Sequence, residues 1–240
     1  MVALKIESFA LSDQGLVRAT NEDAFAKMQE EGIFILADGL GGHNAGEIAA
    51  SSAVEYMLRE IQTLRLFQKQ NIDLSDQSVL DFLDTSMQNT NLWIYQLSIS
   101  NPYLHGMGTT LSLLYRHNDK LYLAHIGDSR IYRFRKEYLA LLTEDHVHDM
   151  TGQGPGKKVL SQAIGTSLKV RPQTQKITYM HDDIFLLCSD GLSDLVSEEE
   201  ILRLMDTSAA LDTIAQNLIA SAKKSGGYDN ITLMLIRIVA

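Results

Sequence analysis

Hydrophobic and polar positions along the chain follow two patterns, one typical of buried strands and one typical of amphipathic helices. Short apolar runs bounded by turn residues predict strands at 4–11, 33–37, 107–115, 121–126, 131–134, 175–179, 183–188 and 231–238. Apolar residues recurring every three to four positions predict helices over 45–61, about 75–97 and 211–222. The residues expected to face inward from the first of these helices are Ile48, Val54, Met57, Leu58 and Ile61. Ser197, followed three residues later by Glu200, predicts the start of a further short helix.

The order of these elements predicts one layered domain. The chain has 240 residues, of which 45% are hydrophobic, so it can bury a large core. It contains three prolines, no internal repeat and no low-complexity tract, so nothing in the pattern divides it into parts. We therefore expect a single domain over residues 1–240, in which sheets are flanked by helices as an α/β sandwich.

Charge and cysteine content narrow the class of partner. The formal net charge is −9 and no basic run is present, which argues against nucleic acid or an anionic membrane as the partner. No segment reaches the length of a membrane span, and the first ten residues lack the pattern of a signal peptide. One cysteine, Cys188, lies in an apolar run and cannot form an internal disulfide. We expect a cytoplasmic protein.

Four aspartates in small-residue contexts carry the candidate chemistry. Asp38 follows one predicted strand, Asp190 follows another, Asp229 precedes the last, and Asp128 lies in a Gly-Asp-Ser turn. Carboxylates gathered at the end of a sheet repel one another and raise each other's pKa. Hard cations such as Mg²⁺ and Mn²⁺ prefer oxygen ligands and would neutralise such a cluster. The residues therefore favour a metal-dependent enzyme.

An ordered set of motifs links these aspartates to a known family. The motifs are Ser12-Asp13-Gln14-Gly15, Arg18, Asn21-Glu22-Asp23, Asp38-Gly39-Leu40-Gly41-Gly42-His43, Gly108-Thr109-Thr110, Gly127-Asp128-Ser129-Arg130, Ser189-Asp190-Gly191-Leu192 and Asp229-Asn230-Ile231-Thr232. In this order and spacing, along nearly the whole chain, they resemble the metal-dependent serine/threonine protein phosphatases of the protein phosphatase 2C type, also called the PPM family. The short chain looks most like the bacterial members.

The resemblance implies a fold and an activity. The implied fold is an α/β (α+β) four-layer sandwich, in which two antiparallel β-sheets pack face to face between antiparallel helix pairs. The implied reaction is hydrolysis of phosphoserine and phosphothreonine on proteins by a water activated between two Mn²⁺ or Mg²⁺ ions. The implied biological setting is a monomeric enzyme that opposes a serine/threonine kinase.

The resemblance also implies metal ligands. Asp38 would bridge the two metals, the carbonyl of Gly39 would ligate one of them, and Asp190 and Asp229 would complete the carboxylates. Asp128, together with Asp190, would bind a third ion in bacterial members; the alternative for Asp128 is a plain turn residue.

Further residues take roles around the metals by the same resemblance. Glu22 and Asp23 would accept hydrogen bonds from metal-bound waters. Arg18 would grip the substrate phosphate, since a guanidinium matches two phosphate oxygens. His43 would act as the general acid that protonates the leaving serine or threonine oxygen.

Other histidines and serines are assigned no catalytic role. His125 lies in an apolar strand and is expected to be a hydrogen-bonded core residue, whereas His146 is expected to be exposed. Ser129 and Ser189 are interpreted as turn residues, because no His-Asp arrangement at suitable spacing supports a nucleophilic serine.

One segment departs from the family, and two other functions stay open. Bacterial relatives usually carry a longer helical flap where this chain has the short, glycine-rich stretch 149–158. A metal-dependent hydrolase of small phosphate esters would use the same metal centre. An inactive phosphatase-like binding module is the other alternative, but such a module should have lost metal aspartates, which this chain keeps.

Overall fold

A computed structural model describes residues 5–41, 45–70, 74–149 and 158–239. Their strands are β1 (Lys5–Asp13), β2 (Asp23–Met28), β3 (Ile33–Leu40), β4 (Gly108–Thr109), β5 (Leu111–His117), β6 (Lys120–Ile126), β7 (Arg130–Arg135), β8 (Tyr138–Leu141), β9 (Val147–Asp149), β10 (Lys158–Leu160), β11 (Gln173–Ile177), β12 (Ile184–Cys188) and β13 (Ile231–Val239). The helices are α1 (Ala45–Lys69), α2 (Asp76–Ser100), α3 (Asp190–Ser193), α4 (Glu198–Leu204) and α5 (Leu211–Lys224), with a 3₁₀ turn at Pro102–Leu104.

The strands form two antiparallel sheets and one small ribbon. One sheet has the order β1-β13-β12-β7-β8, and the other has the order β11-β6-β5-β3-β2 with β4 paired to β3. The ribbon consists of β9 and β10. Every strand pair in the two sheets is antiparallel.

Alternation along the central strands separates three apolar layers. In β3, Phe34 and Leu36 face Phe185 and other side chains of the second sheet, whereas Ile35 faces the helices. The α1 and α2 helices cover the six-stranded sheet, and α3, α4 and α5 cover the five-stranded one. The molecule is therefore a helix–sheet–sheet–helix sandwich, which confirms the fold expected from the resemblance.

The helices follow the predicted faces with one exception. Of the residues expected to face inward from α1, Met57 and Ile61 are fully buried, but Ile48 is exposed. Alanines at 49, 50 and 53 take the inward positions instead and let the first half of α1 lie close to β3. The Ser197 hydroxyl accepts a hydrogen bond from the Glu200 N–H at 3.3 Å, as the predicted cap requires.

Four strands were not predicted, and one predicted strand is divided. β2 lacks a large apolar face, because its inward residues are two alanines and one methionine, while β8, β9 and β10 have only three or four residues each. The run 107–115 is interrupted at Thr110, whose N–H and hydroxyl bind the backbone of Asp38. None of the helices in the described residues is both long and apolar enough to cross a membrane.

Candidate active site

Two neighbouring strands bring Asp23 and Asp38 side by side at one end of the six-stranded sheet. The two residues are directly paired across β2 and β3. The Asp38 N–H donates to the Thr110 hydroxyl at 2.9 Å, and the Asp38 carbonyl accepts from the Thr110 N–H at 2.9 Å and the Thr109 hydroxyl at 2.8 Å. These three bonds fix the backbone from which the Asp38 carboxylate projects.

The second sheet brings Asp190 and Asp229 to the same region. Cys188 at the end of β12 pairs with Leu233 near the start of β13, so the residues just beyond them lie together. Asp190 is the first residue of α3 rather than the last of the strand. A Cβ on Gly191 would lie 2.0 Å from the carbonyl oxygen of residue 230 and 3.4 Å from the Asp229 Cβ, so only glycine permits this approach.

The aspartates share one electrostatic field. Burial raises the pKa of Asp38 well above its usual range, and the charges of Asp23, Asp190, Asp128 and Asp229 raise it further. Burial, followed by the charges of Asp128 and Asp229, raises the pKa of Asp190 to about 7. The neighbouring aspartates therefore oppose the ionisation of Asp38 and Asp190, as expected for carboxylates gathered at the end of a sheet.

Asp23, expected from the resemblance to accept hydrogen bonds from metal-bound waters, itself lies among the clustered carboxylates. Its Oδ2 accepts a hydrogen bond from the Ser189 hydroxyl at 2.9 Å, whereas its buried Oδ1 has no hydrogen-bond partner among the described residues. Burial is the main cause that raises the Asp23 pKa to about 6. A buried carboxylate oxygen without a donor is costly, and a cation or an ordered water held by a cation would satisfy it.

Gly39 allows three backbone segments to meet beneath Asp38. A Cβ on Gly39 would lie 2.3 Å from the Gly46 carbonyl oxygen and 2.7 Å from the Glu22 carbonyl oxygen. The Glu22 carboxylate lies against Gly46 in turn, since a Cβ there would be 2.1 Å from Glu22 Oε2. The start of α1, the loop before β2 and the end of β3 are therefore packed around the predicted ligands.

Arg18 forms an ion pair with one predicted ligand. Its Nη2 lies 2.6 Å from Asp229 Oδ2, and this contact raises the Arg18 pKa. The other oxygen of Asp229 accepts from the Asn230 N–H at 2.8 Å. Among the described residues, no group of three or more carboxylate, histidine or cysteine side chains is arranged so that it could hold a metal ion.

Asn230 is a site residue to which the sequence assigned no role. Its Oδ1 accepts from the Glu22 N–H at 2.9 Å, and its Nδ2 donates to the carbonyls of Gln14 and Thr20 at 2.9 Å each. One amide therefore ties the loop that carries Arg18 and Glu22 to the start of β13. The sequence feature that could have indicated a role for Asn230 is its position directly after Asp229 in the motif.

Ser189 and Ser129 are more than turn residues. The Ser189 hydroxyl donates to Asp23 and accepts from the Thr232 N–H at 3.0 Å, which joins the two sheets beside the cluster. The Ser129 hydroxyl is buried and lies 2.7 Å from the Thr110 hydroxyl. Neither serine is paired with a histidine in the described contacts, which agrees with the expectation that neither is a nucleophile.

Two histidines hold the turn that carries Asp128. His125 is buried, lies 2.9 Å from the Ser112 hydroxyl and 3.0 Å from the Gly127 carbonyl, and has its pKa lowered by burial to about 4. This confirms its prediction as a hydrogen-bonded core residue. His146 stacks on it with ring centroids 5.3 Å apart and accepts from the Gly127 N–H at 3.1 Å. His146 is therefore half-buried rather than merely exposed.

Two predicted features lie outside the described residues. They are His43, with its neighbours 42 and 44, and the segment 150–157 that replaces the longer flap. After the segment that contains His43, the structure describes α1 from Ala45 onward. On either side of segment 150–157 it describes β9 and β10, which pair with each other.

Comparison with known proteins identifies the family. A family profile described as Protein phosphatase 2C matches residues 17–227. Serine/threonine phosphatase stp of Listeria monocytogenes serotype 4b (strain F2365) is 33% identical over 240 residues, which cover 94% of this chain and 93% of the relative. The chain belongs to the protein phosphatase 2C family and is a serine/threonine phosphatase of the bacterial type.

Solved structures agree with this assignment. The Mycobacterium tuberculosis serine/threonine phosphatase PstP/Ppp superposes with a TM-score of 0.84 at 32% identity, covering 98% of this chain and 99% of that one. The catalytic domain of PstP, in a crystal structure described as a complex with 2 manganese ions, gives a TM-score of 0.80 at 32% identity. That alignment covers 99% of this chain and 100% of that one.

The raised pKa values predict a pH-dependent stability. In the absence of divalent metal, Asp190→Asn should stabilise the protein relative to wild type, by an amount that grows from about pH 4 to about pH 7. The cause is that the unfolded Asp190 loses its proton near its usual pKa of 3.8, whereas the folded one keeps it until about 7, so wild-type stability falls across this window. Urea unfolding with a chelator present measures the difference.

The opposite slope contributed by buried His125 is common to both proteins and cancels in this comparison. A difference between the two proteins that stays constant across this pH window would show that Asp190 titrates normally in the folded state.

Proposed function

We propose that this phosphatase hydrolyses phosphoserine and phosphothreonine on proteins with two divalent cations, Mn²⁺ or Mg²⁺, held by Asp38, Asp190 and Asp229. The observation that carries the proposal is the gathering of these carboxylates from the two sheets, where burial and the charges of the neighbouring aspartates raise the pKa values of Asp38 and Asp190. Divalent cations would remove this repulsion, and oxygen-only ligands suit both metals. The two manganese ions of the similar PstP structure support the same number.

Each ligand has a role that fits its position. Asp38, whose pKa is raised by the other carboxylates, is the candidate to bridge both ions, and the Gly39 carbonyl would ligate one. Asp190 and Asp229 would complete the carboxylates from the second sheet. Asp128, which acts electrostatically on both Asp38 and Asp190, would share a third ion with Asp190.

Glu22 and Asp23 would orient water around the ions. The unpartnered Oδ1 of Asp23 supports an accepting role next to Asp38, because a metal-held water would supply the missing donor. The raised pKa of Glu22, caused mainly by burial, supports its inclusion in the same charged region. Ser189 would keep the Asp23 carboxylate oriented by occupying its other oxygen.

The chain supplies phosphate binding and a proton for the leaving group. When bound, the cations supply an activated water for in-line attack and neutralise charge on the phosphate oxygens. Arg18 would bind phosphate oxygens through its guanidinium, which requires it to loosen its ion pair with Asp229. As the bond between phosphorus and the serine or threonine oxygen breaks, His43 would give its proton to that oxygen.

The names of the relatives favour protein substrates over small phosphate esters, because these relatives are named as serine/threonine phosphatases. The opposing kinase, the monomeric state, the cytoplasmic location and the single-domain extent stay predictions from the sequence.

Removal of the metals or of a bridging carboxylate should abolish activity. We expect chelation to eliminate hydrolysis of a phosphothreonine peptide and added Mn²⁺ or Mg²⁺ to restore it. Asp38→Asn should lower kcat/KM by at least about 100-fold at saturating metal, because one oxygen ligand and its charge are lost. Asp81→Asn, which changes an exposed aspartate on α2, is the matched control and should leave activity unchanged. Activity of Asp38→Asn near the wild-type level would refute the metal assignment.

The role of His43 can be tested through the leaving group. His43→Gln should slow hydrolysis of a phosphoserine peptide by about 100-fold or more, because an alkoxide needs a proton to depart. An aryl phosphate should be affected much less, since a phenolate departs readily without one. The matched control is His105→Gln, at an exposed histidine after the 3₁₀ turn. Equal losses on the two substrates would indicate a structural histidine.

A further inference from the structure

Three exposed apolar side chains lie beside the cluster. Leu16, Val17 and Tyr228 are 61%, 63% and 64% exposed, and we call them the apolar rim. They come from two segments, the loop after β1 and the turn before β13. Single exposed apolar residues are common, but several on adjoining segments next to a candidate active site are typical of an interaction surface.

The two segments of the rim are joined into one surface. The Leu16 N–H donates to the Gly227 carbonyl at 2.8 Å, and a Cβ on Gly227 would lie 3.0 Å from Leu16 Cγ. The Tyr228 ring lies over Gly226, where a Cβ would be 2.3 Å from the ring. Both glycines have positive φ, of 124° and 54°, so the backbone that presents the rim favours glycine at both positions.

The rim adjoins the residues proposed to bind phosphate and metal. Val17 directly precedes Arg18, and Tyr228 directly precedes Asp229. Arg18 and Asp229 form the ion pair of 2.6 Å. The Asn230 side chain donates hydrogen bonds to the backbone carbonyls of residues 14 and 20, which precede and follow the rim residues of this loop. The rim and the proposed phosphate-binding residue Arg18 are therefore parts of one surface whose segments are joined by hydrogen bonds.

The distance along an extended peptide determines what can reach the rim. A peptide chain advances about 3.3–3.6 Å per residue, so residues one to three positions from a phosphoserine held at Arg18 extend about 3–11 Å from it. The Cα atoms of Leu16 and Arg18 are two residues apart and so lie within about 7 Å of each other. Side chains that flank the phosphorylated residue are thus within reach of the rim.

We propose that the apolar rim binds apolar side chains next to the phosphorylated serine or threonine and so selects protein substrates; this inference rests on the proposed function. The site favours this occupant because Arg18 would anchor the peptide by its phosphate and the rim offers no charge to pair. The carboxylate cluster disfavours acidic flanking residues, and the net charge of −9 disfavours an anionic membrane as the occupant.

The test compares two phosphothreonine peptides that differ only in the flanking residues, one with leucines and one with serines, together with an aryl phosphate, which has no flanking residues. Wild type should prefer the leucine peptide by about 10-fold in kcat/KM.

The double variant Val17→Ser/Tyr228→Ser should lose this preference through a higher KM for the leucine peptide. Its kcat/KM for the aryl phosphate should differ from that of wild type by less than about 2-fold. The conservative Val17→Ile/Tyr228→Phe variant should keep the preference.

The matched control changes exposed apolar residues at the far end of the five-stranded sheet. Tyr138→Ser/Met180→Ser should leave all three activities unchanged, because Tyr138 pairs with Arg135 at the end of β7 remote from the cluster. A wild type that does not distinguish the peptides, or a rim variant that keeps the preference or loses aryl phosphate activity equally, would overturn the inference. A wild type active on the aryl phosphate but on neither peptide would instead overturn the proposed protein substrate.

Discussion

Mutual repulsion among carboxylates is the constraint on which the rest of this structure depends. Asp38 and Asp23 come from one sheet, Asp190 and Asp229 flank strands of the other, and Asp128 approaches from the turn before β7. Ionised groups so arranged would separate if the backbone allowed it. The sandwich does not allow it, because each aspartate lies in or next to a strand whose apolar side chains pack in the core between the sheets or under the helices.

The surrounding polar residues hold the repelling groups in place without neutralising them. Thr110 fixes the backbone of Asp38, Ser189 occupies one oxygen of Asp23, and Asn230 ties the loop of Arg18 to β13. Arg18 forms an ion pair with Asp229 of the cluster. Among the described residues no cation forms an ion pair with Asp38 or Asp190, so divalent cations would favour the ionised forms of these two carboxyls over the protonated ones.

The sequence was informative where chemistry lies in a local pattern. Asp38 and Asp190 were predicted from apolar runs that end beside them, and the family resemblance supplied the order of the motifs. Long-range bonds were not predictable in this way, since the Ser189–Asp23 and Asn230–Glu22 contacts join residues 166 and 208 positions apart. β2 was missed because two of its three inward residues are alanines, and Ile48 was misplaced because smaller neighbours took the close contact with β3.

The central claim is that the carboxylates retain protons until cations replace them, and proton release on metal binding tests it most directly. Calorimetric titration of the metal-free protein with Mn²⁺ at about pH 6.5, in buffers of different ionisation enthalpy, measures the protons released per protein. With the Asp190 pKa raised to about 7 and that of Asp38 raised well above its usual range, the account predicts release of about one proton or more. Binding of Mn²⁺ with no proton release would contradict it.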